Sequence, residues 1–331
     1  MGLRFSGAFS FMPAIALKHF LRRTAGYVEI VEQRLRASTN NPQACIFYYH
    51  RVSDIPFRDR RLDDRNVTPA LLERHIAALA NSCEIVPLTE IKSRFATGLS
   101  PKRPIVSLTF DDGYANFRHS VLPILERYGV PAMLSVVTSY VGSLSPAPFD
   151  RWARTNHGRA PLDAWKMASW DDLEACIRSG LVTIGAHSHA HVRAAGCSAE
   201  KLHDEAFTSG RILRERLGGK HGRLYAYPFG NSLLGHVSDD YEQAVRSAGF
   251  QLAVTTDVGL VTPETGRFRM PRLEAHSQDT PEMLMARCSG AISPLYLKNL
   301  VHRIAAALNR NHRAPAAPAK PRSNKEENAV C

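Results

Sequence analysis

Hydrophobic and polar positions along the chain follow two periods. Short apolar or alternating runs at 44–49, 84–87, 105–110, 132–137, 182–186, 224–227, 252–255 and 268–273 predict strands. The stretches between them carry helical periodicity. Thr68 before Pro69 reads as an N-cap and first helical position, with Leu71, Leu72, Ile76 and Leu79 as the apolar face. Residues 88–96, the region around 119–128 closed by Gly129, 169–179 between Ser169 and Gly180, 198–217 and 239–248 also read as helices. Strands and helices alternating at this spacing imply parallel strands with crossover helices. About seven such units predict a distorted α/β, (β/α) barrel rather than an open doubly wound sheet, and no glycine-rich dinucleotide fingerprint follows the early strands. Residues 139–168, with Pro146, Pro148, Gly158 and Pro161, show no regular period. They are expected to form a long functional or mobile loop whose Trp152 and Trp165 either line a groove or pack inward.

The ends of the chain read differently. In the extension 1–40, the apolar run 6–17 meets Lys18, Arg22 and Arg23 at once, with no convincing small-residue cleavage site. Residues 11–36 therefore read as a basic amphipathic segment, packed on the domain or lying on an anionic membrane, rather than as a leader. Residues 291–313 contain a second basic amphipathic helix, and 314–331, rich in Pro, Ala and charge, read as disordered. The domain between them spans 41–290. No apolar run approaches the roughly 20 residues of a spanning helix.

With 331 residues, 44% of them hydrophobic, the chain can bury one large core or two small ones. A net charge of +11 permits acidic polymers, nucleic acid or anionic lipid, but no nucleic-acid motif is present. The six cysteines lack paired spacing, which argues against a disulfide framework and for a reducing compartment. The expected location is the cytoplasm or the periphery of the cytoplasmic membrane. Oligomeric state leaves no signature.

The chemistry gathers at strand ends. The strand 105–110 runs into Asp111-Asp112-Gly113, which taken alone is ordinary turn chemistry. Two adjacent aspartates point to opposite faces in mid-strand but can share a site at its end, where Gly113 lets the chain bend. The strand 182–186 runs into His187-Ser188-His189-Ala190-His191. A spacing of four places both outer imidazoles on one side of a helical turn, and no Glu at the second position means this is not the metalloprotease helix. In a barrel the C-terminal strand ends meet at one mouth, so two histidines and a carboxylate form a ligand set with positions open for water and substrate. A third strand ends in Tyr227-Pro228-Phe229-Gly230, a sharp turn able to aim the Phe229 main-chain N–H at a developing oxyanion.

Thr-Phe-Asp-Asp-Gly-Tyr at 109–114, His-Ser-x-x-His at 187–191 and Tyr-Pro-Phe-Gly at 227–230 resemble, in order and separation, the polysaccharide deacetylases with the NodB homology domain, over roughly residues 44–275. The resemblance implies a distorted barrel, a divalent metal (usually zinc), and hydrolysis of N-acetyl groups on an N-acetylated glycan. By position it makes Asp112, His187 and His191 the metal ligands and Asp111 the base, with Ser188 orienting the histidine loop. Tyr114, Tyr227, Pro228 and Gly230 are expected beside the substrate. Two departures stand out. Ala226 occupies the place where many members carry an Arg, and no late Leu-x-His is plain, His276 being a poor match. Pro271-Arg272 resembles a subgroup in which the arginine approaches the base. Residues 47–52, Phe-Tyr-Tyr-His-Arg-Val, resemble the poly-N-acetylglucosamine deacetylases, which implies His50 as the general acid. Removal of O-acetyl or formyl groups, or glycan binding without catalysis, are the competing functions.

Overall fold

Ala44–Tyr49 (β1) opens the sheet of the chain, in a computed structural model that describes residues 43–54, 65–96 and 103–290. Both terminal extensions and the helix expected within 294–313 lie outside the described residues. Most of the net positive charge falls in those segments too, so the barrel itself is close to neutral. None of the helices among the described residues is long and apolar enough to cross a membrane.

After β1 come Pro69–Ser82 (α1), Glu84–Ile85 (β2), Ile91–Ala96 (α2), Ile105–Phe110 (β3), Leu122–Tyr128 (α3), Ala132–Val136 (β4), Arg151–Asn156 (α4), Trp170–Arg178 (α5), Val182–Ala186 (β5), Ala199–Leu217 (α6), Leu224–Ala226 (β6), Asp239–Ser247 (α7), Leu252–Val254 (β7), Leu273–Glu274 (β8) and Pro281–Cys288 (α8). Local chemistry sets the ends of these elements. The Thr68 hydroxyl accepts from Leu71 N, a reciprocal box joins Ser169 and Asp172, and Gly129 closes α3 in the left-handed region. Pro123 sits in the first turn of α3, and the turn before it, Phe117–Val121, opens into a π-helix.

The strands pair in parallel in the order β7-β6-β5-β4-β3-β1-β8, with β2 flanking the first residues of β3. The two ends of this order come close to meeting. Met270 bridges Val254 of β7, while three residues later Leu273 pairs with Phe47 of β1. Residues 270–274 thus act as the closing stave of a distorted barrel. The expected strand 268–273 is shorter and later than its apolar pattern suggests, because the segment changes neighbours midway. Helix α8 is a further element, and Thr280-Pro281 repeats at its start the signal of Thr68-Pro69.

Strand phase divides each strand between two cores. Cys45, Phe47, Val106, Leu108, Phe110, Ile184, Ala186, Tyr225 and Leu273 pack outward with the helices, whereas Ala44, Ile46, Ile105, Met133, Leu224, Leu252 and Val254 form a second cluster inside the barrel. Followed upward, the inward phase of β3 reads Ile105, Ser107, Thr109, Asp111, and that of β1 reads Ala44, Ile46, Tyr48, His50. The floor is apolar and the C-terminal mouth polar, which is where the chemistry must sit.

Residues 139–168 are ordered rather than a structureless loop. They contain α4, and Trp152 and Trp165 pack with Ala153 and Ala164 in a small core of their own, so they do not line a groove. On the opposite flank, Arg287 of α8 holds Asp279 through two bonds of 2.8 Å, and His276 N donates to the same carboxylate. Burial would raise the Asp279 pKa, but the guanidinium outweighs it and lowers the group from 3.8 to about 2. A carboxylate depressed in the fold stabilises above its unfolded pKa and stops doing so as pH falls through its folded value. We expect about 2 kcal/mol of stability to disappear between pH 4 and pH 2. Urea midpoints across that range should fall more steeply for the wild type than for Asp279→Asn.

Candidate active site

Three strand ends bring the polar groups together. His187 follows β5, and its N–H continues the ladder to Val136 O. Its Nδ1 lies 2.8 Å from the Ala226 carbonyl at the end of β6, which leaves Nε2 free to face the mouth. That Nε2 and the Nε2 of His191 each lie 3.5 Å from the same oxygen, Asp112 Oδ1. The three ligand atoms fall within 4.8 Å of one another. Ligands held at about 2.0–2.1 Å on a tetrahedral cation stand roughly 3.4 Å apart, so the two nitrogens and one oxygen fit a divalent metal.

The backbone is strained where these groups meet. Among the described residues, the non-glycine residues with positive φ are Asp112 (76°), Ser188 (60°), His191 (59°) and Phe229 (58°), and all four belong to the site motifs. Asp112 follows the inward-facing Asp111 and would otherwise lie on the outward phase, so its own backbone turns it in. Gly113 then passes so close to β4 that a Cβ would stand 2.9 Å from Val136 Cγ1. The histidine segment is likewise not the helical turn its spacing suggested. It is a loop tied by Ser139 N to His189 O (2.9 Å), His191 N to Ser188 Oγ (2.8 Å) and Ala190 N to the buried Glu205 of α6 (2.7 Å). Ser188 orients the loop, as the motif implied.

Asp111 is clamped. Arg272, wholly buried, donates from Nη1 to Oδ1 (2.9 Å) and from Nη2 to Oδ2 (2.8 Å). Ser135 Oγ adds a bond to Oδ1 at 2.7 Å. The guanidinium is itself fixed by Thr255 O and Thr109 Oγ1 and lies over the Tyr48 ring. Burial would push the Asp111 carboxyl up, but the Arg272 charge holds it well below the usual range, so it stays ionised. Arg272 thus brings a guanidinium to the barrel that Ala226 cannot supply, while Arg223 turns away to Gly219 O.

His50 follows β1 beside Asp111, whose N–H bonds the Tyr49 carbonyl. Burial lowers its pKa, against the opposing pull of Asp112 and Glu274. Its Nδ1 is 3.8 Å from Glu274 Oε1, and His276 Nε2 is 3.7 Å from Glu274 Oε2. Glu274, missed in the sequence, sits on the inward phase of β8 between the two candidate acids. Ser135 was missed as well. A polar residue on the inward phase of an apolar strand is the signal that marks both.

The aromatic residues of the motifs take other places than expected. Tyr227 is fully buried and packs on Tyr225 and Tyr241, so it shows no face to a substrate; burial keeps its hydroxyl protonated. Tyr114 is also buried, donating to Asp150 (3.0 Å) with the Arg51 guanidinium over its ring. Pro228 and Gly230 form the turn itself, with Gly230 so near Thr256 N that a Cβ would stand 2.8 Å away. Phe229 is exposed and sets its ring edge against His191. From the segment 139–168, Phe149 stacks on that imidazole, with ring centroids 4.1 Å apart. No sequence pattern marked Phe149.

Residues 98–253 match the family model described as polysaccharide deacetylase. The chain is 24% identical over 276 residues, covering 78% of itself and 88% of the relative, to a protein of Staphylococcus epidermidis named poly-β-1,6-N-acetyl-D-glucosamine N-deacetylase. An Escherichia coli protein of the same name is 30% identical over 140 residues, which is 42% of this chain and 20% of that relative. Among solved structures, the Streptococcus pyogenes deacetylase PplD in complex with acetate superposes with a TM-score of 0.60 at 20% identity, covering 74% of this chain and 97% of that one.

Proposed function

We propose, from the premise that this chain belongs to the polysaccharide deacetylase family, that it removes N-acetyl groups from a polymer of N-acetylglucosamine by metal-assisted amide hydrolysis. The observation that carries this reading is the convergence of Asp112, His187 and His191 beside a separately clamped Asp111. The name borne by the relatives supports an N-acetylglucosamine polymer as substrate. A donor set of two imidazoles and one carboxylate supports zinc.

Asp112, His187 and His191 would hold a divalent cation, which would supply Lewis-acid polarisation of an acetyl carbonyl and acidify a water. The remaining work belongs to the chain. Asp111 is the base, and its Oδ2 accepts one hydrogen bond where Oδ1 accepts two, so Oδ2 keeps a lone pair for the water's proton. The Phe229 N–H, in the turn beside His191, stabilises the developing oxyanion. With Nδ1 turned to Glu274, His50 presents Nε2 to protonate the leaving amine.

Acetate release from β-1,6-linked N-acetylglucosamine oligomers tests the reading. Release is expected with the holoenzyme, is lost with a chelator, and returns with Zn²⁺. Formate release, or activity on O-acetyl esters alone, would reassign the scissile bond. Tight zinc binding with no hydrolysis of any acetylated glycan would leave a binding module.

A further inference from the structure

A metal-bound histidine is usually oriented by a hydrogen bond from its second ring nitrogen. His187 has that bond, to the Ala226 carbonyl. His191 does not. Its Nδ1 is buried without a hydrogen-bond partner on any other described residue, and the one backbone group acting on the ring is its own. Rings hold this imidazole instead. Phe149 lies nearly parallel to it, with centroids 4.1 Å apart and planes at 20°, while Phe229 and His187 meet it edge-on, each at 4.9 Å.

Phe149 is itself fixed by a built anchor. The next residue, Asp150, accepts from Tyr114 OH (3.0 Å), from Ala153 N at the start of α4 (2.9 Å), and from the buried Arg51 guanidinium. Arg51 is stacked by Tyr114 (4.1 Å) and Trp152 (5.1 Å). Arg51 follows β1 and Tyr114 follows β3, the two strands that carry His50, Asp111 and Asp112. The segment 139–168 is therefore pinned to the same strand ends as the chemistry, with Phe149 held against a ligand.

We propose that Phe149 is a positioning residue for the metal: it sets the plane of the His191 imidazole by stacking, in place of the missing hydrogen bond. The proposal rests on the reading of Asp112, His187 and His191 as metal ligands. A second effect acts in the same direction. An imidazole that donates to a cation becomes electron-poor, and the negative face of a phenyl ring favours that state over the free one. The benefit falls on the metal-bound form and should appear as affinity.

Zn²⁺ titration of the full chain, stripped of metal and read against a chromophoric chelator, tests this without any assay of turnover. Phe149→Ala is expected to weaken zinc about 10–100-fold, the usual effect of removing a ligand's support. Phe149→Leu, which keeps apolar bulk but loses the flat face, should move the same way, and Phe149→Tyr should restore near-wild-type affinity. Leu144→Ala, in the same segment but exposed, should change nothing. A purely structural role would lower the melting temperature of Phe149→Ala and Phe149→Leu and leave zinc affinity unchanged in the folded fraction, and that result would overturn the proposal. Wild-type affinity in Phe149→Leu sinks it while the metal reading stands, provided His187→Ala has lost zinc. If the wild type takes up no zinc, both fall.

Discussion

Asp111→Asn is expected to bind zinc as the wild type does and to release acetate about 10²–10⁴-fold more slowly, the usual contribution of a positioned proton acceptor. Asp111 is separate from the ligand triad, so metal affinity and turnover should part company in this variant. The amide has no lone pair to offer where Oδ2 stood, and its N–H groups face the Arg272 donor. Some stability is lost with the activity, so the comparison belongs well below the melting temperature. Zinc titration beside acetate release from one preparation checks both halves. Near-normal turnover would remove Asp111 from the mechanism.

Arg272→Met carries the largest expected loss of stability. The guanidinium is completely buried, and without it the Asp111 carboxylate keeps Ser135 alone among its present side-chain donors. Breaking one side of a buried pair destabilises by about 3–5 kcal/mol, because the other charge stays behind unpaired. Arg272 also joins neighbours across the barrel, donating to Thr255 O after β7 and to Thr109 on β3. A lowered denaturant midpoint reads the effect. The double variant Asp111→Asn with Arg272→Met should be less destabilised than the sum of the two singles, since no unpaired charge remains. Additive losses would mean that the pair is not coupled.

Asp112, His187 and His191 were legible as a set because their residue types are rare in that arrangement and all follow strands. Arg272 was legible only through resemblance. By pattern alone it is a basic residue after a proline, and nothing local says that it is buried against a carboxylate 161 positions away. Glu274 and Ser135 could have been read from strand phase once the inward face was known, as Asp111 and His50 show. Phe149 could not, because it stands in a segment with no period and its partner is fixed by a loop geometry that depends on Ser188, Glu205 and β4. Tyr227 erred the other way: its motif suggested a substrate contact, while its position beyond β6 carries the ring outward into the core.

By itself the amino-acid order determined the alternation of strand and helix, the caps that bound them, and the residue types of the candidate metal set. Those follow from local period and local chemistry, which reach only a few residues. The tertiary structure alone decided that β1 lies between β3 and β8, that 270–274 closes the ring, and that Asp112 turns inward on a strained backbone while Asp111 is held by Arg272. The pairing of β1 with β8 and the clamp of Arg272 on Asp111 join positions more than a hundred residues apart. Which strands become neighbours is settled by burying both faces of the whole sheet at once, and no single stretch of the chain contains that information.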